Sequence, residues 1–259
     1  MNLSSTRIYS KLMLSGVCFA FAFACTDDPE PQLEPQVIQF EDPLLLQQVK
    51  LALDLNQNQE VNEENILLLE ELNIDGGSDF DGTISEISSL VGLENATNLN
   101  YLHFGNTKIT DLTPIRDLEK IEYLRMNNTG VTDLSPIANY TALTYFNANT
   151  TRGITDISPL SGNAALQEMI LREVPMGNNG LETIRNFPVL YRLNMRNTGV
   201  TDVSVLAEIM EAGALQNNTP GASENGGATL DLRGLEVADW SPIEPYLSNV
   251  GNLDGGPSN

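Results

Sequence analysis

The chain repeats one short phrase at a nearly constant interval. In each copy an aspartate is followed by an apolar residue, then Ser or Thr, then usually Pro and Ile or Leu. Successive aspartates lie 22, 23, 46 and 37 residues apart, which corresponds to one repeat, one repeat, two repeats, and one repeat with an insertion. A period of this size is typical of solenoids, whose units bury their apolar faces only against their neighbours. The five copies contain Asp111, Asp133, Asp156, Asp202 and Asp239.

A second periodic element, a triplet of apolar, variable and apolar residues, lies midway between the phrases. Alternation with a period of two residues predicts a short strand with its apolar side chains on one face. Stacking such strands buries those faces, so the sequence predicts a parallel sheet over one continuous core. The triplets occupy residues 102–104, 124–126, 146–148, 169–171, 193–195 and 230–232.

Residues 37–246, which carry these two elements, resemble the 22-residue, internalin-like type of bacterial leucine-rich repeat protein. The resemblance implies an α/β solenoid with a parallel β-sheet on its concave face and a helical N-terminal cap. The segment 40–72, followed by 87–93 and 97–99, resembles that cap and a first repeat. On this basis we assign 37–75 to the cap, 76–248 to the solenoid and 249–259 to a flexible C-terminus.

The chain departs from the family where an inward-pointing Asn usually follows each strand. The equivalent residues here are Thr107, Thr129, Thr151, Val174, Thr198 and Leu235. A threonine hydroxyl can satisfy a buried backbone group, whereas Val and Leu cannot. We therefore expect the ladder of side-chain hydrogen bonds to be interrupted at Val174 and Leu235.

The first residues predict export. Arg7 and Lys11 precede an apolar run over 12–23, which identifies 1–24 as a signal peptide. The sequence Ala22-Phe23-Ala24-Cys25 resembles the bacterial lipobox, which implies cleavage and lipidation at Cys25. An ordinary signal peptide is the alternative. The second cysteine, Cys18, would be removed with the signal, so no disulfide is expected in the mature chain.

Residues 25–36 are acidic and rich in proline, the composition of an extended tether. Acids directly behind the cysteine resemble the surface-export signal of Bacteroidetes lipoproteins. This resemblance implies a lipid anchor on the outer-membrane surface of a Gram-negative bacterium. A solvated linker that faces the periplasm is the alternative.

Charge and composition restrict the function. The formal net charge is −22, which disfavours nucleic acid as a partner and any membrane contact beyond the anchor. The chain has one histidine and no Gly-rich phosphate loop, nucleophile elbow or cysteine cluster, so we expect no enzyme, cofactor or metal.

The repeated aspartates are interpreted as caps of free backbone N–H groups. The loop 54–65 resembles a calcium loop, but Gln59 and Asn65 replace its glycine and its bidentate glutamate.

Two features mark the outward positions of the strands, which face the concave side. Tyr101, Tyr123 and Tyr145 are equivalent residues of three successive repeats, and their rings either stabilise the sheet or bind a partner. Five of the eleven basic residues that remain after the signal also lie there, with Glu168 and Asp231 as candidates to neutralise part of their charge. The predicted ligand-binding residues are Tyr101, His103, Tyr123, Arg125, Tyr145, Asn147, Arg172, Arg192, Asn194, Arg196 and Arg233.

Arginine forks suit carboxylate, sulfate or phosphate groups. We therefore expect an adhesion or interaction module, monomeric, that binds a protein with an acidic surface, or else an acidic glycan. Two alternatives stay open: a glycan-binding or hydrolytic accessory of polysaccharide use, and an envelope scaffold with no external ligand.

Overall fold

A computed structural model describes residues 34–78 and 82–257. The predicted signal peptide, Cys25 and the tether as far as residue 33 lie outside the described residues. From Pro35 onward the chain forms one compact unit built on an eight-stranded parallel sheet, in which the strands follow their order in the sequence. The strands are Glu71–Asn73 (β1), Tyr101–His103 (β2), Tyr123–Arg125 (β3), Tyr145–Asn147 (β4), Glu168–Ile170 (β5), Arg192–Asn194 (β6), Thr229–Asp231 (β7) and Asn252–Asp254 (β8).

The central residue of each strand from β1 to β7 points into the core, and the central residues of all eight strands are in register across the sheet. Leu102 lies opposite Leu124, which lies opposite Phe146, and the column continues to the last strand. All of its members are buried except the last, Leu253, which is 38% exposed at the end of the stack. This single column confirms the predicted leucine-rich repeat solenoid. It comprises Leu72, Leu102, Leu124, Phe146, Met169, Leu193, Leu230 and Leu253.

The recurring phrase forms the turn into the convex side. In each copy the aspartate accepts a hydrogen bond from the N–H two residues later, as Asp133 does from Ser135 at 2.8 Å. These bonds hold the pKa of Asp133 below its ordinary value. The predicted capping role of the aspartates is confirmed.

The convex elements change along the chain. The phrase opens short 3-10 helices at Thr113–Ile115, Ser135–Ile137 and Ser158–Gly162. Later repeats carry α-helices instead, Gly177–Ile184 (α2) and Ser204–Glu211 (α3).

The column of threonines after the strands satisfies backbone carbonyls as expected. The hydroxyls of Thr107, Thr129 and Thr198 donate to the carbonyl three residues earlier at 2.7, 3.0 and 2.8 Å. At Val174 and Leu235 the backbone N–H donates to that carbonyl instead, at 2.9 and 3.3 Å. The side-chain ladder is interrupted where the sequence predicted, but the turn itself is kept by the main chain.

The N-terminal cap begins with a helix, Pro43–Ala52 (α1). Asp42 caps it, because one carboxylate oxygen accepts from the N–H groups of Leu44 and Leu45. The other oxygen accepts from the N–H of Ser88 at 2.9 Å, which ties the cap to the first repeat. In the loop that resembles a calcium site, Asn56 Oδ1 accepts from the N–H of Asn58, so this oxygen stabilises a turn.

Two predicted boundaries are wrong. The range 37–75 contains β1, which pairs with β2 and belongs to the sheet rather than to the cap. The range 249–259 contains β8, because the N–H of Asn252 donates to the carbonyl of Ala228 at 2.8 Å and Leu253 extends the core column. Main-chain pairing orders residues 252–254 although the triplet of apolar, variable and apolar residues is incomplete there, with Gly255 in its third position. Trp240 and Tyr246 pack against the core near this segment.

Candidate binding face

The outward side chains line the concave face in three columns. The first column holds the first residue of each strand: Glu71, Tyr101, Tyr123, Tyr145, Glu168, Arg192, Thr229 and Asn252. The second column holds the third residue: Asn73, His103, Arg125, Asn147, Ile170, Asn194, Asp231 and Asp254. The outer column lies two residues further on: Asp75, Gly105, Asn127, Asn149, Arg172, Arg196 and Arg233.

The three tyrosines of the first column form a parallel stack. Ring centroids are 4.2 Å apart between Tyr101 and Tyr123 and 4.1 Å apart between Tyr123 and Tyr145, with interplanar angles of 13° and 5°. Identical residues at identical register impose this geometry, because neighbouring strands lie about 4.8 Å apart. Both faces of the Tyr123 ring are therefore covered, and the ring edges and hydroxyls remain as contact groups. Burial raises the pKa of Tyr145 to about 12, so its phenol is neutral at physiological pH.

Two predicted binding residues lie on the floor of the concave face. His103 is 4% exposed and Asn147 is 7% exposed, so neither offers much surface to a partner. Burial lowers the pKa of His103, although Asp75 lies 3.7 Å from its Nε2 atom and opposes that shift. The Asn147 amide donates to the Tyr145 hydroxyl at 2.9 Å. Asn147 therefore supports Tyr145, and neither side chain projects from the sheet.

Two of the five arginines are neutralised by acids on the same face. Arg192 Nη1 lies 2.7 Å from Glu168 Oε2, and the other oxygen of Glu168 accepts from the Tyr191 hydroxyl at 2.6 Å. Arg233 binds Asp231 through two hydrogen bonds, of 2.9 and 2.6 Å. Burial opposes the ionisation of Asp231, yet these bonds keep its pKa below the ordinary value. The neutralisation that the sequence left open is present at these two arginines.

The other three arginines differ in their partners. Arg172 Nη2 lies 3.2 Å from Glu173, a carboxylate that it shares with Arg152. Arg125 donates to the amide oxygen of Asn127 at 2.7 Å and pairs with no described carboxylate. The side chain of Arg196 has neither a hydrogen bond nor an ion pair among residues 34–78 and 82–257. Charge on the face is thus concentrated at Arg125 and Arg196.

Ile170 is a member of the face that sequence analysis did not select. It lies in the second column between two asparagines, Asn147 and Asn194, and is partly exposed. An apolar residue at an outward strand position carries no chemical signal by itself. Its place beside the arginines could have been obtained from the repeat register alone.

Apart from the concave face, a cavity lies at the junction of the cap and the first repeats. It has a volume of about 510 Å³, and its lining includes Glu41, Asp42, Ser88, Ser89 and Asp111. Its polar groups serve the fold: Ser89 donates to Glu41, and Asp42 accepts from Ser88. The concave face is therefore the stronger candidate.

The described part of the chain gives no indication of a metal centre or of a membrane span. In that part no three His, Cys, Asp or Glu side chains are grouped so as to hold a metal ion. None of its helices has the length and apolar character needed to cross a bilayer.

Comparison with known proteins supports the fold. Neither a protein-family model nor a curated protein matches the chain. Among solved structures, an internalin (InlF) from Listeria monocytogenes has a TM-score of 0.68 at 24% identity, over 83% of this chain and 56% of that one. Internalin C2 from the same organism has a TM-score of 0.66 at 24% identity, over 83% of this chain and 93% of that one.

A leucine-rich repeat protein from Leptospira interrogans also matches, with a TM-score of 0.53 at 16% identity. That match covers 74% of this chain and 44% of the Leptospira protein, so the chain spans about half the length of two of these three structures. The register of the sheet and these matches lead to one conclusion about the molecule: it is a leucine-rich repeat solenoid with the fold of the internalins.

Proposed function

We propose that this protein is an interaction module that binds a protein partner through its concave sheet. Solenoids present extended concave surfaces of this kind for binding. The observation that carries the proposal is the joint presence of a rigid tyrosine stack and of two uncompensated arginines on one face of a strongly acidic chain. Stacked tyrosines offer contact area at little cost in conformational entropy.

The tyrosine stack favours a protein over a neutral glycan. Sugar rings pack on open aromatic faces, and both faces of the Tyr123 ring are covered by its neighbours. Ring edges and hydroxyls remain, and these suit the backbone and polar side chains of a protein surface. An acidic glycan is the second candidate, because Arg125 and Arg196 also suit sulfate and carboxylate groups.

The proposal includes no catalytic step. Glycoside hydrolysis needs one carboxyl group that stays protonated near neutral pH. The hydrogen bonds from Arg233 lower the pKa of Asp231, which is the opposite shift. Glu168 accepts hydrogen bonds from Arg192 and Tyr191, which commits both of its oxygens to neighbours on the same face.

We further propose that the protein is a lipoprotein displayed on the outer membrane, anchored through Cys25, with 25–36 as tether. The support is the sequence of the export segment. Metabolic labelling with an alkyne fatty acid should tag the protein, and Cys25→Ala should abolish the label. Degradation by a protease added to intact cells would support outer-face display, whereas protection until the outer membrane is opened would place the protein in the periplasm.

The binding proposal can be tested with partners selected from a displayed protein library. The triple variant Arg125→Gln, Arg172→Gln and Arg196→Gln removes three charges from the concave face. A control, Lys108→Gln, Arg116→Gln and Lys120→Gln, removes three charges elsewhere. Partners selected on the purified protein should lose binding to the first variant by about a hundredfold, from roughly three charged contacts, and keep binding to the control.

Partners that bind both variants equally well would contradict the proposal. That result would favour a scaffold that uses its convex side. Thermal melting of both variants shows whether each remains folded.

A further inference from the structure

The outer column contains three arginines in succession. Arg172, Arg196 and Arg233 occupy equivalent positions, because the N–H of Glu173 donates to the carbonyl of Arg196, and the N–H of Asn197 to that of Arg233. Like charges that lie opposite each other on adjacent strands destabilise a sheet. Arg172 is compensated by Glu173, and Arg233 by Asp231. The middle arginine, Arg196, is left without a compensating carboxylate among the described residues.

Asp231, which interacts electrostatically with Arg196, is already committed to other donors. Both oxygens of Asp231 accept from Arg233, and one of them also accepts from the Asn194 amide at 3.0 Å. Asp231 is 3% exposed, so it has little freedom to turn toward another cation. Among the donors of Arg196, only the backbone N–H has an acceptor within the described residues, Asn194 Oδ1. The five guanidinium N–H donors of Arg196 are therefore available to an external acceptor.

An apolar contact lies next to this open cation. Ile170 occupies the second column on β5, and Arg172 follows it two residues later on the same edge. Strand spacing of about 4.8 Å and an advance of about 6.7 Å along the strand separate the Cα atoms of Ile170 and Arg196 by roughly 8 Å. Arginine is enriched in binding hot spots, and the partly exposed Ile170 offers an apolar contact beside these arginines.

We infer that the protein partner presents an acidic side chain next to an apolar one, and that the pair docks at Ile170, Arg172 and Arg196, named here the Ile170 site. The carboxylate would bridge Arg196 and Arg172 through paired N–H donors, and the apolar side chain would cover Ile170. This inference rests on the proposed function and specifies its partner. Charge complementarity and the adjacent apolar residue together select an acidic peptide segment over an acidic glycan, which supplies only the anion.

The peptide acetyl-Glu-Leu-Glu-amide is a minimal probe for the Ile170 site. Titration should shift the NMR signals of the Arg196 Nε–H group and the Ile170 methyl groups, with a dissociation constant of about 1 mM. Two matched peptides separate the contributions: acetyl-Gln-Leu-Gln-amide lacks the charge, and acetyl-Glu-Gly-Glu-amide lacks the apolar side chain. Each should bind about tenfold more weakly than the probe.

Variants of the protein complete the test. Arg196→Gln and Ile170→Asn should each weaken binding of the peptide probe about tenfold, whereas Arg116→Gln should leave that binding unchanged. Arg196→Gln should also melt at the same temperature as the parent or at a higher one, because it removes repulsion between like charges. A purely structural role for Arg196 would instead lower the melting temperature.

Several results would overturn the inference. One is the absence of shifts at Arg196 and Ile170 with the probe at about 20 mM, well above the expected dissociation constant. Another is equal binding of the uncharged peptide. A sulfated disaccharide would identify a glycan as the ligand if it shifted the NMR signal of Arg196 more strongly than the peptide does and left the signals of Ile170 unchanged.

The failure of this inference can be distinguished from the failure of the proposed function. If library partners require the concave arginines while the probe does not bind, only the inference fails. If the partners ignore the concave arginines, the proposed function fails as well.

Discussion

The first and second halves of the concave face are stabilised in different ways on one frame. Strands β2 to β4 present a stack of uncharged rings and one arginine, Arg125, that pairs with no described carboxylate. Strands β5 to β7 present arginines bonded to acids on the same face. Stacking requires the same residue at the same register in successive repeats. Ion pairing requires opposite charges at neighbouring positions, and it leaves one cation over when arginines outnumber acids. The comparison shows that a uniform backbone can carry a rigid region and a charged region side by side.

The convex side changes at nearly the same point. The early repeats turn through 3-10 helices, whereas the later ones carry α2 and α3. Arg185 forms ion pairs with Glu182 of α2 and with Glu208 of α3, which links the two helices. The Ile170 site comprises the end of β5 and the residues that follow β5 and β6, and it begins on the strand next to the last tyrosine of the stack. A partner bound there would contact both regions of the concave face.

The largest effect is expected where the two halves do not differ, in the shared core. Phe146→Ala in the first half should cost about 3 to 5 kcal/mol, and Leu193→Ala in the second about 2 to 5 kcal/mol, because each leaves a cavity in a fully buried column. Chemical denaturation measures both. A single transition in each variant is expected, and separate transitions of the two halves would contradict a continuous core.

The second prediction concerns the second half of the concave face, where the stabilisation by ion pairs depends on pH. Asp231→Asn should cost about 1.5 to 3 kcal/mol at pH 7, since it weakens charge-assisted hydrogen bonds to Arg233. The folded pKa of Asp231 is lowered, so its stabilisation is present above the unfolded value of 3.8 and is lost as the pH falls through the folded value. The difference between parent and variant should therefore disappear in acid, as followed by denaturation at several pH values.

The third prediction applies the same measurement to the aromatic half. Tyr123→Leu removes two stacking contacts and should cost about 1 to 3 kcal/mol, while Tyr123→Phe keeps the stack and should cost less. Neither cost should change between pH 3 and 7 by more than about 0.5 kcal/mol, since no carboxylate takes part in the stack. A loss of the Tyr123→Leu effect in acid would show that the two halves are coupled electrostatically.

The smallest predicted effect compares equivalent turns. Thr150 has a φ of +60°, a left-handed conformation that a β-branched residue rarely adopts, whereas the equivalent Asn128 has a φ of +53°. Thr150→Asn should stabilise the protein by about 1 kcal/mol, and Asn128→Thr should destabilise it by a similar amount. Thermal melting of the pair checks the sign. If both substitutions changed the melting temperature in the same direction, backbone strain at these two positions would not explain their effects on stability.

Much of the fold could be predicted from the sequence because the repeat carries it. The triplets around Leu102 and Leu124 determined strand position and register, and the same register placed the tyrosines in one row. The last strand was missed because the triplet is incomplete there: Leu253 and Asp254 are followed by Gly255 rather than by an apolar residue, although the phrase at Asp239 precedes this strand as it does others. A three-residue strand in a glycine-rich segment has no distinctive side-chain pattern.

The site was less predictable than the fold. Alternation along the strand placed His103 and Asn147 on the outward face, but it does not report how deeply neighbouring side chains cover them. The pairing of Arg192 with Glu168 follows from their adjacent positions in the first column. Which arginine is left over depends on side-chain conformations, because Asp231 lies within reach of Arg233 and near Arg196. Three-dimensional packing was needed to single out Arg196.

The central claim is that the concave face binds the partner, and arginine footprinting tests it most directly. Phenylglyoxal modifies accessible guanidinium groups, and mass spectrometry identifies the modified positions. With a selected partner bound, Arg125, Arg172 and Arg196 should be protected, while Arg116 and Arg185 should react as they do in the free protein. Protection of Arg116 and Arg185 with unchanged labelling of the three concave arginines would contradict the claim.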